Sequence, residues 1–122
     1  MANPFVHVEL QTTDLKKARD FYARLFDWKL EDAPPMPGFG TYTMISAGEG
    51  TGGGMMANPQ PGAPSHWLAY VDVPDLASAT RKAKELGAQV LVDSMAVADM
   101  GKFSVIADPT GAHLGLWENA KK

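Results

Sequence analysis

The residues best suited to chemistry in this chain are three histidines and one acid. His7 sits in Phe5-Val6-His7-Val8-Glu9-Leu10, and His66 sits in Ser65-His66-Trp67-Leu68-Ala69-Tyr70-Val71. Both runs read as strands, and each leads to an Asp-Leu pair, Asp14-Leu15 and Asp75-Leu76, that opens a helix. Imidazoles in matching places of two repeats are what a pseudo-symmetric metal or ligand site would show. A neutral strand histidine is also often only a hydrogen-bonded interior residue. Strand side chains alternate between faces. Glu9 and Gln11 therefore share the face of His7, while Leu68, Tyr70 and Asp72 share that of His66. Glu9 is the expected catalytic residue, because a partly buried carboxylate near imidazole is a suitable proton carrier at neutral pH. Its other role would be to fix a histidine tautomer.

Elements must hold these groups, and the elements repeat. Asp14–Leu30 aligns without gaps on Asp75–Leu91, with Asp14/Asp75, Leu15/Leu76, Ala18/Ala79, Leu25/Leu86 and Leu30/Leu91 coinciding. Each Asp can cap a helix by accepting from backbone N–H groups of the first turn. Leu15, Ala18, Phe21, Tyr22, Leu25 and Phe26 recur at helical spacing, as do Leu76, Ala79, Ala83 and Leu86. Gly87 is a ready helix stop. Strands are expected at Trp28–Glu31, Thr41–Ala47 and Gly54–Ala57, then at Gln89–Asp93, Lys102–Ala107 and His113–Glu118. Each half reads β-α-β-β-β. Module 1 is placed at residues 5–57 and module 2 at 65–119, joined by a linker at 58–64, within one domain over 1–122. The fold class is α+β.

Bulk properties narrow the function. The 122 residues carry a net charge of −3, and basic residues form no more than scattered doublets such as Lys16-Lys17 and Lys121-Lys122. No nucleic-acid footprint follows from that pattern. No apolar run approaches membrane-spanning length. The start of the chain lacks the features of a signal peptide, so a cytoplasmic protein is expected. The absence of cysteine excludes disulfides, thiolate metal sites and a Cys nucleophile. No serine has the context of a nucleophile elbow. Gly48-Glu49-Gly50-Thr51-Gly52-Gly53 matches G-x-G-x-x-G, but no helix follows it, so it reads as a turn and a Gly-rich strand. Asp108-Pro109-Thr110-Gly111 reads as a type I turn.

These features together resemble the vicinal oxygen chelate superfamily of glyoxalases, bleomycin-resistance proteins and extradiol dioxygenases. The resemblance rests on four parts: His7 running into Thr13-Asp14-Leu15-x-x-Ala18-x-x-Phe21-Tyr22; the Leu25-Phe26-Asp27-Trp28 exit; His66 before Val71-Asp72-Val73; and Asp108-Pro109-Thr110-Gly111 before Gly115-Leu116-Trp117-Glu118. It implies two βαβββ modules whose mixed sheets curl into an open cup with helices outside, and a homodimer. It also implies a small-molecule ligand inside the cup.

Metal-binding relatives of this kind draw ligands from the first-strand histidines and from a carboxylate on the last strand of each module. His7 and His66 match the first pair. The other two positions fall at Gly115 and among Gly54, Met55 and Met56, so the chain resembles a branch lacking the usual carboxylates. His113 lies two residues from the empty position, and a divalent zinc, nickel, manganese or iron ion on His7, His66, His113 and Glu9 is one expectation. Gln11, Tyr70, Trp117, Met36 and Phe39 are the expected substrate-binding residues, the last two from the Pro/Gly loop at 33–40. The leading functional expectation is a small-molecule enzyme of lyase, isomerase or dioxygenase type acting on an oxygen-bearing substrate. The rivals are a metal-free small-molecule or antibiotic binding protein of the bleomycin-resistance type, and a dimeric domain with a vestigial cup.

Overall fold

The computed structural model describes residues 3–33, 41–60, 62–97 and 100–120. The fold is α+β, with eight strands and two helices among these residues. The chain divides into two compact units, His7–Leu68 and Met1–Val6 with Ala69–Lys122.

The His7–Leu68 unit carries β1 (Phe5–Thr12, from His7 onward), α1 (Leu15–Leu25), β2 (Lys29–Asp32), β3 (Tyr42–Ser46) and β4 (Gly53–Ala57). Its strands lie in the order β2-β3-β4-β1, with β1 parallel to β4 and the other pairs antiparallel. Asp14 caps α1, its carboxylate accepting from the Lys17 N–H at 3.0 Å. Leu10, Ile45 and Met55 form the core, with Leu15, Ala18, Tyr22, Trp28 and Leu30 packed against them. One sheet face thus meets α1. Alternation sends His7, Glu9 and Gln11 to the face without a helix.

The other unit carries β5 (His66–Asp72, from Ala69 onward), α2 (Leu76–Glu85), β6 (Gln89–Val97), β7 (Gly101–Ala107) and β8 (His113–Asn119). The order is β5-β8-β7-β6, with β5 parallel to β8 and the rest antiparallel. Val73, Leu76, Ile106 and Leu116 form its core under α2. Asp75 caps α2, and the Glu118 carboxylate accepts the Leu76 N–H at 2.7 Å. Glu118 therefore points to the helix side, opposite Gly115 and Trp117, as alternation requires. Gly87 adopts φ 103° after the helix.

The G-x-G-x-x-G stretch forms a turn, with Gly48 and Gly50 at positive φ, and then enters β4. Asp108–Gly111 is closed by the Gly111 N–H donating to the Asp108 carbonyl at 2.8 Å. The Asp108 carboxyl accepts from the Thr110 hydroxyl and from the Thr110 and Ala112 N–H groups, and these bonds hold it below the usual carboxylate range. The turn accounts for this acid without catalysis.

One strand departs from expectation. β6 runs to Val97, past Asp93 where it was expected to stop. Bulges between Val90 and Met95 let it continue, with Ser94 at φ 54°. The Ser94 N–H donates to the Ser104 hydroxyl at 3.0 Å. Ser104 is wholly buried and shares a 2.9 Å hydrogen bond with Thr80 on α2. A buried hydroxyl pair thus satisfies a backbone group that the bulge takes out of the ladder.

Candidate functional site

The helix-free face of the first module holds a hydrogen-bonded row of four side chains. Nε2 of His7 lies 2.7 Å from the Tyr42 hydroxyl. The Tyr42 hydroxyl donates to Oε1 of Glu9 at 2.9 Å, and the Gln11 amide donates to Oε2 at 2.8 Å. Glu9 is only 7% exposed. A buried carboxylate needs such partners, because desolvation penalises the charge unless hydrogen bonds offset it. Burial lowers the His7 pKa below its ordinary 6.5, and the Glu9 charge raises it part of the way back. The His7 and Tyr42 rings are near-parallel at 6.2 Å.

Register explains how Tyr42 reaches this row. Tyr42 pairs with Met56, which pairs with Gln11, while Glu9 pairs with Gly54. The ring therefore crosses Gly54 to reach Glu9 and His7. A Cβ at Gly54 would collide with the Tyr42 ring and hydroxyl. The missing side chain is the slot in which the tyrosine lies. Tyr42 was not singled out from sequence. The available signal was an aromatic residue on β3 with a glycine diagonal to it on β4.

The second module repeats the frame with other chemistry. Tyr70 pairs with Gly115 as Glu9 pairs with Gly54, so each position matches the residue 61 further on. A Cβ at Gly115 would collide with the Tyr70 ring. Phe103 stands where module 1 has Tyr42, and it meets Tyr70 edge-on with ring centroids 6.0 Å apart. Trp117 pairs with Phe103 on the same face, and its indole N–H donates to Asn119 at 2.7 Å. The carboxylate and hydroxyl of module 1 are thus replaced by an aromatic row of Tyr70, Phe103 and Trp117.

This register also corrects the expected histidine match. His66 takes the place of Phe5, and His7 takes that of Leu68. The two histidines share face parity but sit two residues apart in the repeat. Nδ1 of His66 is 2.9 Å from the Pro64 carbonyl. His113 is exposed at the start of β8. Met36 and Phe39 lie outside the described residues.

The expected ion on His7, Glu9, His66 and His113 does not fit. No group of three His, Asp or Glu side chains converges among the described residues. Tyr42 engages Nε2 of His7 and Oε1 of Glu9, Gln11 engages Oε2, and tyrosine rings lie across Gly54 and Gly115. A divalent ion needs several converging donors with a coordination position left over.

A duplicated βαβββ fold with polar chemistry on a helix-free sheet face defines a class of small-molecule proteins. The chain belongs to the Glyoxalase/Bleomycin resistance protein/Dioxygenase superfamily, whose profile matches residues 5–116. It is similar to CFP32 of Mycobacterium tuberculosis, a candidate glyoxylase by name, with 38% identity over 115 residues, 91% of this chain and 44% of CFP32. It is also similar to the anthracycline biosynthesis protein DnrV of Streptomyces peucetius, with 29% identity over 127 residues, 89% of this chain and 44% of DnrV. The chain thus spans less than half the length of these curated relatives. Among solved structures it resembles protein BH1468 of Bacillus halodurans, with TM-score 0.74, 17% identity and coverage of 100% and 98% of the two chains. It resembles methylmalonyl-CoA epimerase of M. tuberculosis, with TM-score 0.72, 15% identity and coverage of 96% and 88%. At these identities the structures establish the fold alone. No helix among the described residues is long and apolar enough to cross a membrane.

Proposed function

We propose that this chain is a small-molecule enzyme of the lyase or isomerase type, in which Glu9 accepts a proton from carbon beside a carbonyl. The observation that carries this reading is the Glu9 carboxylate, buried on the helix-free face with both oxygens held by donors. In the step, the substrate C–H bond breaks and its electron pair moves to the carbonyl oxygen as an enolate. The proton forms an O–H bond with Glu9, and its return completes the reaction. Such general-base catalysis depends on a carboxylate within hydrogen-bonding reach of the proton. Gln11 spends one amide N–H on Glu9, and its second can donate to the substrate oxygen where charge develops. The glyoxylase name carried by CFP32 is in keeping with an enzyme of this kind. A second copy of the chain and a cytoplasmic setting belong to this reading.

The test uses 2-oxoaldehydes, their thiol adducts and acyl thioesters in D2O, with deuterium uptake at the carbon beside the carbonyl followed by NMR. Uptake by the wild type, lost in Glu9→Gln, supports the reading. A second reading, a binding protein of the bleomycin-resistance type, is favoured by the aromatic row of Tyr70, Phe103 and Trp117. Flat apolar ligands stack on such rings. That reading predicts no uptake from any probe, together with binding of aromatic glycopeptides that Glu9→Gln retains.

A further inference from the structure

The Tyr42 hydroxyl has one proton and lies within hydrogen-bonding distance of both His7 and Glu9. An ionised carboxylate only accepts hydrogen bonds, so Tyr42 gives its proton to Oε1 of Glu9. Its oxygen must then accept from Nε2 of His7, 2.7 Å away. The direction of the whole row follows. His7 carries its proton on Nε2 and its lone pair on Nδ1, and Gln11 closes the other end at Oε2. Gly54 makes this geometry possible, because any side chain there would displace the ring.

We propose that Tyr42 is a positioning residue of this site, holding the Glu9 carboxylate in one orientation and setting His7 as the neutral Nε2–H tautomer. The catalytic consequence rests on the reading of Glu9 as the base, while the tautomer assignment does not. When Glu9 takes a proton at Oε1, that oxygen becomes the donor and Tyr42 can turn its own proton toward Nε2. His7 must then carry its proton on Nδ1. The imidazole tautomer therefore reports the charge on Glu9 through one hydroxyl.

The experiment is a long-range 1H–15N correlation spectrum of the histidine rings at pH 7.5, on the full chain with the wild-type sequence, Tyr42→Phe and Gly54→Ala. Wild-type His7 is expected as Nε2–H. Tyr42→Phe keeps the ring over Gly54 but removes the hydroxyl, and should shift His7 toward Nδ1–H. Gly54→Ala keeps the hydroxyl but displaces the ring, and should give the same shift. In the proton-exchange assay, Tyr42→Phe should lower kcat on the order of tenfold or more with little change in KM, as loss of orientation does. A wild-type Nδ1–H tautomer, or an unchanged tautomer in both variants, overturns the proposal. Should Glu9→Gln retain exchange while the tautomer shifts, the base reading fails and the positioning role stands. Should Glu9→Gln abolish exchange while the tautomer stays fixed, the reverse holds.

Discussion

At the scale of single residues, three of the four members of the polar row were legible. Alternation alone put His7, Glu9 and Gln11 on one face. Tyr42 was not legible, because its reach depends on the β3–β4 register and on an absent side chain at Gly54. In sequence the missing ligand falls among Gly54, Met55 and Met56, and in the fold the Tyr42 ring lies across Gly54. Burial of His7 also has a measurable effect. Its pKa is lowered by desolvation, with the Glu9 charge opposing. As pH falls below 6.5, the unfolded chain takes up a proton that folded His7 resists, so the unfolded state binds more protons and stability drops. The loss levels off once the pH passes the lower folded value. Thermal melts of wild type and His7→Gln between pH 7.5 and 5 test this, and the wild type should lose stability relative to the variant on acidification. A constant difference across that range would remove burial of the imidazole from the account.

At the scale of elements, periodicity and caps placed both helices, because Asp14 and Asp75 cap in the expected way. Strand centres were equally legible. The extent of β6 was not, since its bulges depend on Ser104 and Thr80, a contact between elements far apart in sequence. The two modules use their helices unequally. α2 buries Leu76 and Thr80, whereas α1 has no buried residue. Leu76 is fully enclosed, while Leu86 at the end of α2 is 70% exposed. Leu76→Ala should therefore cost about 3 kcal/mol, through lost burial and the cavity left behind. Leu86→Ala should stay within about 0.5 kcal/mol of wild type. Urea denaturation of the two variants decides the matter, and equal costs would contradict the packing described for α2.

At the scale of the whole molecule, the duplication and the fold class were legible because offset, caps and turns agreed with one another. The fate of the metal site was only half legible. Sequence marked two positions without the usual carboxylates, but not that Tyr42 joins His7 to Glu9 or that His66 sits against the Pro64 carbonyl. Protein purified without a histidine tag and dialysed with zinc, nickel, manganese or iron should carry substoichiometric metal, and proton exchange should survive EDTA. One equivalent of tightly held ion, lost in His7→Ala, would reverse that conclusion. The paired glycines also bear on descent. A carboxylate at position 54 or 115 cannot arrive by a single codon change that leaves its neighbours alone, because Tyr42 or Tyr70 already fills the space it would enter. The tyrosine ring must move aside or be replaced. At position 54 either change breaks the hydrogen-bonded row of His7, Tyr42 and Glu9. The space beside Glu9 can thus hold the tyrosine ring or a side chain at position 54, and filling it one way empties it the other.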